Sequence, residues 1–280
     1  MPLNKLIDQF NAAADRGDAV LAAAGGRVVA KMPGLQADST YQPIVPLERG
    51  MVIGHVAFLS VRRDDGAPLA PEALFAQAAD PARVVRLDRL VRTLHTLNFL
   101  AQRHHAGGYL YLQIHPRHLR AVPSRHGLVF EAVLKRCGLG PDDIFLEVDA
   151  PELAGDPHVH AALAAYRQRG YHLALDCGRS DPARLDDLLA LRPEVVKLDF
   201  SRLAAANLDP IPLVQGVHAA GAAVVAEHLA TAEQLEAARR SAADLAQGTL
   251  IGPAAPACVG THQRSVPAYT SAHFSPGVAP

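Results

Sequence analysis

The sequence predicts an α/β fold in which parallel strands and returning helices close into a barrel, and three observations carry that expectation. Five short apolar runs in the second half each finish on or beside a polar residue: IFLEVD (144–149), HLALD (172–176), VVKLD (195–199), AVVAEH (223–228) and DLAQG (244–248). The marked residues Glu147, Asp176, Lys197, Glu227 and Gln247 follow one another at gaps of 29, 21, 30 and 20 positions, which suit one strand plus one returning helix each. Helix start and stop signals recur between the runs. Strands that enter together and end in carboxylates, a lysine and an amide describe the mouth of a parallel barrel, where such barrels carry their chemistry.

The connecting segments supply the helices. DPHVHAALAAYRQRG (156–170) opens on Asp156, has proline at its first helical position and stops at Gly170. SDPARLDDLLALRP (180–193) has Ser180 or Asp181 as N-cap, with Leu185, Leu188, Leu189 and Leu191 giving a mostly apolar face. PIPLVQGVHAAG (210–221) and TAEQLEAARRSAA (231–243) follow, the latter with Thr231 as cap and Glu233 near the positive end of the helix dipole.

The first half is less regular. Residues 1–38 read as an N-terminal helical extension of one or two short helices, broken at Gly25-Gly26, with a possible strand at RVVAKM (27–32). YQPIVPLERGMVIGHVAFLSVRR (41–63) looks like two strands joined by a turn at Glu48-Arg49-Gly50, an antiparallel hairpin rather than a βα unit. A long helix is expected over 82–105, with Leu87, Leu90, Val91, Leu94 and Leu97 on one stripe. GYLYLQIH (108–115) is the next strand, and HGLVFEAVLKRCGLG a helix ending at Gly138 or Gly140.

Composition suits one such domain: 280 residues, 49% hydrophobic, no Trp and only 5% aromatics require a large aliphatic core. With a net charge of −1, no global field draws the chain to nucleic acid or an anionic membrane. The N-terminus has no apolar signal core and no run approaches the ~18 residues of a membrane span, so the expected location is the cytoplasm. Three widely spaced cysteines, Cys137, Cys177 and Cys258, suggest neither a disulfide framework nor a zinc knuckle. Cys177 follows Asp176 at a strand end, and as a nucleophile it would need a base such as His228 and a depressed pKa; a packing role is the simpler reading.

At this point separate segments carry a family resemblance. Over residues 40–256, YQPIVPLERGMVIGHVAFLS resembles the YQPIVDLxTGxIxGxEALLR opening of EAL domains, bacterial proteins that hydrolyse cyclic di-GMP. LYLQIHPRHL resembles LxVNxSxxQL, FLEVDAPEL resembles LEITES, VVAEHLATAEQL resembles VIAEGVETEEQL, and LAQGTLIGPAAP resembles the terminal QGYLFGxPxP. Leu175-Asp176 and Lys197-Leu198-Asp199 align without a gap on ALDDFGTG…KID. The resemblance implies a TIM-like (β/α)8 barrel with one strand reversed, and a divalent metal, Mg²⁺ or Mn²⁺, that activates water against a phosphodiester. Residues 39–256 would be this barrel and 257–280 a disordered tail.

Position by position, the resemblance marks Glu147 and Asp176 as metal ligands, and Lys197, Glu227 and Gln247 as retained catalytic positions. Other positions have changed. The glutamate that names the family falls on Val56, the metal-binding asparagine on Gln113 and the second aspartate on Cys177, with further carboxylates replaced at Ala150 and Ala230. Phe58 and Ser60 stand at the family's leucine and arginine, and Arg62, two residues on, faces the same side and could restore the missing charge. The loop DFGTGYSS has become CGRSDPAR (177–184), with Arg179 and Pro182 where glycine and aromatic residues would sit, which unsettles its link to dimerisation.

Losing a single outer-shell metal partner costs ~10–100-fold, so the loss of several carboxylates predicts that hydrolysis is gone. The retained residues could equally be a buried ion-pair network without a ligand. The expected function is therefore a degenerate EAL domain acting as a cyclic di-GMP receptor or protein-interaction module; the alternative is a weak metal-dependent phosphodiesterase that makes pGpG. A protein partner or homodimer would supply input and output, with residues 1–38 or an exposed barrel face as docking surface. His158 and His160 resemble a metal-binding HxH, but i and i+2 point apart on a helix, so solvated histidines are the simpler reading. His115, His118 and the His104-His105 pair are read as surface residues.

Overall fold

The computed structural model describes residues 3–13, 19–48, 51–102, 106–150, 155–178, 180 and 185–260. The chain opens with α1 (Leu3–Ala13) and an antiparallel hairpin of β1 (Val20–Ala24) and β2 (Arg27–Met32), turned at Gly25-Gly26. Residues 20–38 of the extension expected to be helical are therefore strands and turns. The strand at 27–32 is present as read, but VLAAA, which alanine makes look helical, pairs across the turn with it and becomes a strand.

β2 leads into β3 (Leu35–Pro46), which runs antiparallel to β4 (Gly54–Arg63) over ten paired positions, including Gln42↔Val56 and Ile44↔Gly54. This is the hairpin expected at 41–63; part of its turn, Arg49-Gly50, lies outside the described residues. After β5 (Pro68–Leu69) and α2 (Pro71–Gln77), the expected long helix appears as α3 (Pro81–Leu100), capped by Asp80 accepting from the Arg83 N–H. Ala101 and Gln102 form a turn in place of the expected helix, and residues 103–105, with the His104-His105 pair, lie outside the described residues.

From β4 the sheet continues in parallel through β6 (Tyr109–Gln113), β7 (Ile144–Asp149), β8 (His172–Asp176), β9 (Val195–Asp199), β10 (Ala223–Glu227) and β11 (Leu245–Ala246). β11 then pairs antiparallel with β3, which also pairs with β4, so eight strands close a barrel in which β3 is the reversed strand. All five polar-ended runs are barrel strands. Outside them run α4 (Pro116–Ala121), α5 (Leu128–Cys137), α6 (Pro157–Gln168), α7 (Leu185–Leu189), α8 (Phe200–Ala205), α9 (Pro210–Ala219) and α10 (Ala232–Arg240). Asp156 caps α6 by accepting from the His158 and Val159 N–H groups, and Thr231 with Gln234 forms a capping box on α10.

Three cores organise the packing. Between barrel and helices lies the largest, mostly Leu, Val, Ile and Ala. Inside the barrel, Ile44, Val56, Tyr111, Phe145, Val195, Val225 and Leu245 fill the layer beneath the mouth, with Tyr111 stacked on Phe145 at 4.4 Å between ring centres. A third core joins Leu6, Ile7, Leu21 and Val28 of the N-terminal region to Leu94 and Leu97 of α3. Gly108 has φ +78°, and a Cβ there would collide with the Ile53 carbonyl beside the start of β6.

His118, read from sequence as a surface residue, is buried, 2% exposed, with Nδ1 3.1 Å from Asp88 Oδ2. Asp88 also receives Arg92 Nη2 at 2.6 Å and the His115 N–H at 2.8 Å, tying α3 to the start of α4. His115 is half-buried and stacks on Phe75. Burial disfavours charge on His118 and outweighs the nearby Asp88 carboxylate, holding its pKa at about 4; His95, bonded to Ser39 Oγ at 2.7 Å, is held at about 4 by burial as well.

Both depressed imidazoles make folding pH-dependent in one direction. An unfolded histidine takes its proton near pH ~6.5, so their contribution is fully present above that value and is lost as pH falls from there towards 4. Urea titrations from pH 7 to 4.5 are expected to show stability falling by several kcal/mol, roughly 3 per histidine at the limit, with His95→Gln flattening part of the slope. Gly108→Ala is expected to cost at least ~2 kcal/mol from the left-handed backbone and the clash, read as a lowered urea midpoint at unchanged slope.

Candidate functional site

The polar residues at the strand ends converge above the aromatic and aliphatic layer. Lys197, 2% exposed near the end of β9, places Nζ 2.9 Å from Glu147 Oε2 on β7 and 3.0 Å from Glu227 Oε2 on β10. Registers explain the meeting: Asp176 pairs with Lys197, Val225 with Lys197, and Glu147 lies opposite Gln113 and Ala174. Inward-facing residues of adjacent parallel strands stack in layers, and these share the top one.

Charge is partly neutralised in this layer. Burial alone would lower the Lys197 pKa, but the Glu147 and Glu227 carboxylates override it and raise it well above its ordinary value. Burial raises Glu147 against the opposing pull of Lys197, and pushes Glu227 up to about 8. One ammonium stands against two carboxylates, and burial favours the neutral form of both acids. Glu227 Oε1 is buried without a hydrogen bond and faces Gly178, where a Cβ would sit 2.8 Å from it.

Around this centre stand Asp176 and Gln247, expected from the sequence, with Asp199, His228 and Gln42. Asp176 Oδ1 accepts from the Gly178 N–H at 2.9 Å. Asp199 caps α8, accepting from the Arg202 N–H and from Ser201 Oγ, and its Oδ2 lies 3.2 Å from His228 Nδ1. His228 is 61% exposed and has φ +58°, at the position where the resembled pattern VIAEG carries glycine. Gln247 Nε2 donates to Gln42 Oε1 at 2.8 Å, and Gln42 in turn donates to the Gly252 carbonyl, joining β3 to the C-terminal segment across 205 positions. Gln42 lies in the YQP of the opening motif, which was its only signal.

The other expected residues lie in different surroundings. Val56 is 2% exposed within the apolar interior layer, and Gln113 is exposed at the end of β6. The Cys177 thiol is buried, packs in the outer core and is pushed up to about 12 by burial, and His228, the base it would have needed, pairs with Asp199 and Glu227 instead. Arg62 Nη1 is 3.4 Å from the Gly66 carbonyl in the turn after β4. His158, half-buried, bonds the Leu119 and Val122 carbonyls through Nε2, while His160 is exposed. Arg179 and Pro182 lie outside the described residues, as do Glu152 and the tail from 261.

The donors do not fit a divalent cation. Hard cations require several free carboxylate or amide oxygens, whereas here Glu147 is engaged by an ammonium and Val56 offers no lone pair. Among the described residues no group of three or more His, Cys, Asp and Glu side chains is arranged to hold a metal ion.

The EAL domain family model matches residues 36–254. The chain belongs to the EAL domain family. Its EAL fold is similar to that of Klebsiella pneumoniae BlrP1 in a manganese and cyclic di-GMP complex, at 21% identity and TM-score 0.70, covering 88% of this chain and 61% of that one. Bacillus subtilis YkuI with cyclic di-GMP and calcium is similar at 20% identity and TM-score 0.68, covering 85% and 60%. The EAL enzyme Bd1971 with cAMP and cyclic di-GMP bound is similar at 18% identity and TM-score 0.68, covering 78% and 62%. The chain thus spans about three fifths of the length of each of these proteins. No curated protein matches it. No helix among the described residues is long and apolar enough to cross a membrane.

The ion network of this EAL domain has a measurable signature. Lys197→Met leaves two buried carboxylates without their cation and is expected to destabilise the fold by about 3–5 kcal/mol in urea at pH 8.5. Adding Glu147→Gln and Glu227→Gln to that variant should recover most of the loss, since replacing the whole buried set is far cheaper than breaking it.

Proposed function

We propose that this EAL domain is a non-hydrolytic regulatory module, which recognises an effector or partner without cleaving it. The observation that carries the reading is the Lys197 ammonium held between Glu147 and Glu227, which takes up the carboxylate oxygens a metal would need, above an interior where Val56 stands at the family's naming glutamate. Metal-assisted hydrolysis needs a bound cation to generate the nucleophile. This mouth instead places its one deeply buried cation where it neutralises its own acids.

Cyclic di-GMP is the effector we propose, because the relatives above were solved with it bound and the mouth still offers exposed Gln113 and His228 to a ligand. Binding without turnover is the role such a site can perform. A protein partner or second copy of the chain would then read the bound state.

Purified protein incubated with cyclic di-GMP and Mg²⁺ or Mn²⁺, followed by chromatography for pGpG, is expected to show no steady turnover. Product formation abolished by Glu147→Ala would overturn the proposal in favour of a weak metal-dependent phosphodiesterase. Calorimetric titration without metal is expected to detect saturable binding. A flat titration at high micromolar ligand would remove cyclic di-GMP as effector and leave a pure protein-interaction module.

A further inference from the structure

The barrel sheet runs on past its closure into the N-terminal hairpin, and among the described residues β1 stands at one end of it with β2 as its one strand partner. Gly25 and Gly26, at φ +57° and +79°, form a two-residue hairpin turn flanked by the pair Ala24↔Arg27. Pairs along such a ladder alternate between exchanging both hydrogen bonds and exchanging none, and the pair beside the turn exchanges both. Val20, Ala22 and Ala24 therefore bond inward to β2, while Leu21 and Ala23 turn their N–H and C=O groups away from it.

Outward groups at a sheet end are a template for another strand, and proteins blunt such ends with charge, proline or a bulge. VLAAA uses none of these: it is uncharged, holds no proline and pairs with β2 without a skipped position, and its Val20, Ala23 and Ala24 are exposed. One side chain stands at this edge instead. Asn11, in the last turn of α1, donates from Nδ2 to the Leu21 carbonyl at 2.8 Å and accepts the Leu21 N–H on Oδ1 at 2.9 Å. A carboxamide offers the same donor and acceptor as a peptide group, so Asn11 takes the place of one residue of a neighbouring strand. The other edge of the hairpin carries the same device, where Asn98 of α3 bonds the N–H and the C=O of Val28 at 2.8 and 2.7 Å, ahead of the point where β2 begins to pair with β3. Asn98 is buried, whereas Asn11 is half-buried and lies a turn beyond Leu6 and Ile7, which anchor α1 in the third core.

From this geometry we infer that Asn11 is an edge plug: it keeps β1 from pairing with β1 of a second copy of the chain, and its release lets two copies join edge to edge. A second copy is the occupant that fits, because a strand paired antiparallel with itself is two-fold symmetric and closes as a dimer, and VLAAA brings no charge to oppose the pairing. The device stands apart from the mouth, so the outcome of the cyclic di-GMP titration leaves it untouched.

Asn11→Ala in the full chain tests the plug with two measurements. Hydrogen exchange of the Leu21 amide, followed on dilute protein, is expected to quicken by at least ~10-fold, while the Ala22 and Ala24 amides, bonded to β2, keep their rates. Sedimentation velocity at rising concentration is expected to reveal an association step that the unaltered chain lacks. Adding Ala23→Pro removes an outward N–H and spares the bonds to β2, so it should abolish that step. Asn11→Asp keeps an acceptor for the Leu21 N–H and sets a charge on the edge, so Leu21 is expected to stay slow and the chain to gain no association step. Both Asn11 variants should retain one cooperative thermal transition, because Leu6 and Ile7 still hold α1. The proposal is overturned if Leu21 exchanges alike in Asn11→Ala and the unaltered chain, if Asn11→Ala gains no association step, if that step survives Ala23→Pro, or if Asn11→Asp behaves as Asn11→Ala does.

Discussion

Lys197 has its ammonium within hydrogen-bonding reach of two carboxylates, one from the adjacent β10 and one from β7 beyond β8, in a layer where water is largely excluded. Removing three ionisable groups from water is costly, and mutual attraction offsets the cost only when the geometry is good and the surplus charge is dealt with. Here burial also favours the neutral form of Glu227, which eases the surplus of negative charge. The order of strands around the barrel is thus coupled to electrostatics: shifting the register of β9 by one residue would turn Lys197 to the outer core and leave both acids unmatched.

That constraint spreads outward through the barrel wall. The interior layer of stacked Tyr111 and Phe145 with Val56 gives the ion set a dry floor, and the Gln247 to Gln42 bond joins the last strand to the reversed first one where the barrel closes. His228, held in a left-handed conformation at the rim, faces Asp199 and the unbonded oxygen of Glu227. The same features that make the mouth a stable interior make it a poor place to bind a hard cation, which needs oxygens free to turn towards it.

How much of this could be read in the chain depended on the range of the interactions. The barrel strands were legible because each apolar run ends on a polar residue at a spacing that leaves room for one helix, and α6 and α10 because Asp156 and Thr231 cap them locally. Glu147, Asp176, Lys197 and Glu227 were legible through their motifs. VLAAA was misread because its helical preference is weak and its partner strand overrides it. His118 was misread because burial there depends on Asp88, thirty positions earlier on another helix, and Gln42 was missed because its partner lies far along the chain. Long-range pairing leaves no periodicity to read.

The third core has a consequence for where this protein begins as a folding unit. The family match starts at residue 36, yet Leu6, Ile7, Leu21 and Val28 are buried against Leu94 and Leu97 of α3, well inside the matched stretch. Similarity and cohesion therefore draw different borders. A chain trimmed to the matched residues would open an apolar seam along α3 and leave Gln36 and Ala37, at the start of β3, without their β2 partners on that edge. The segment ahead of the barrel is part of its wall, and the domain is larger than its signature.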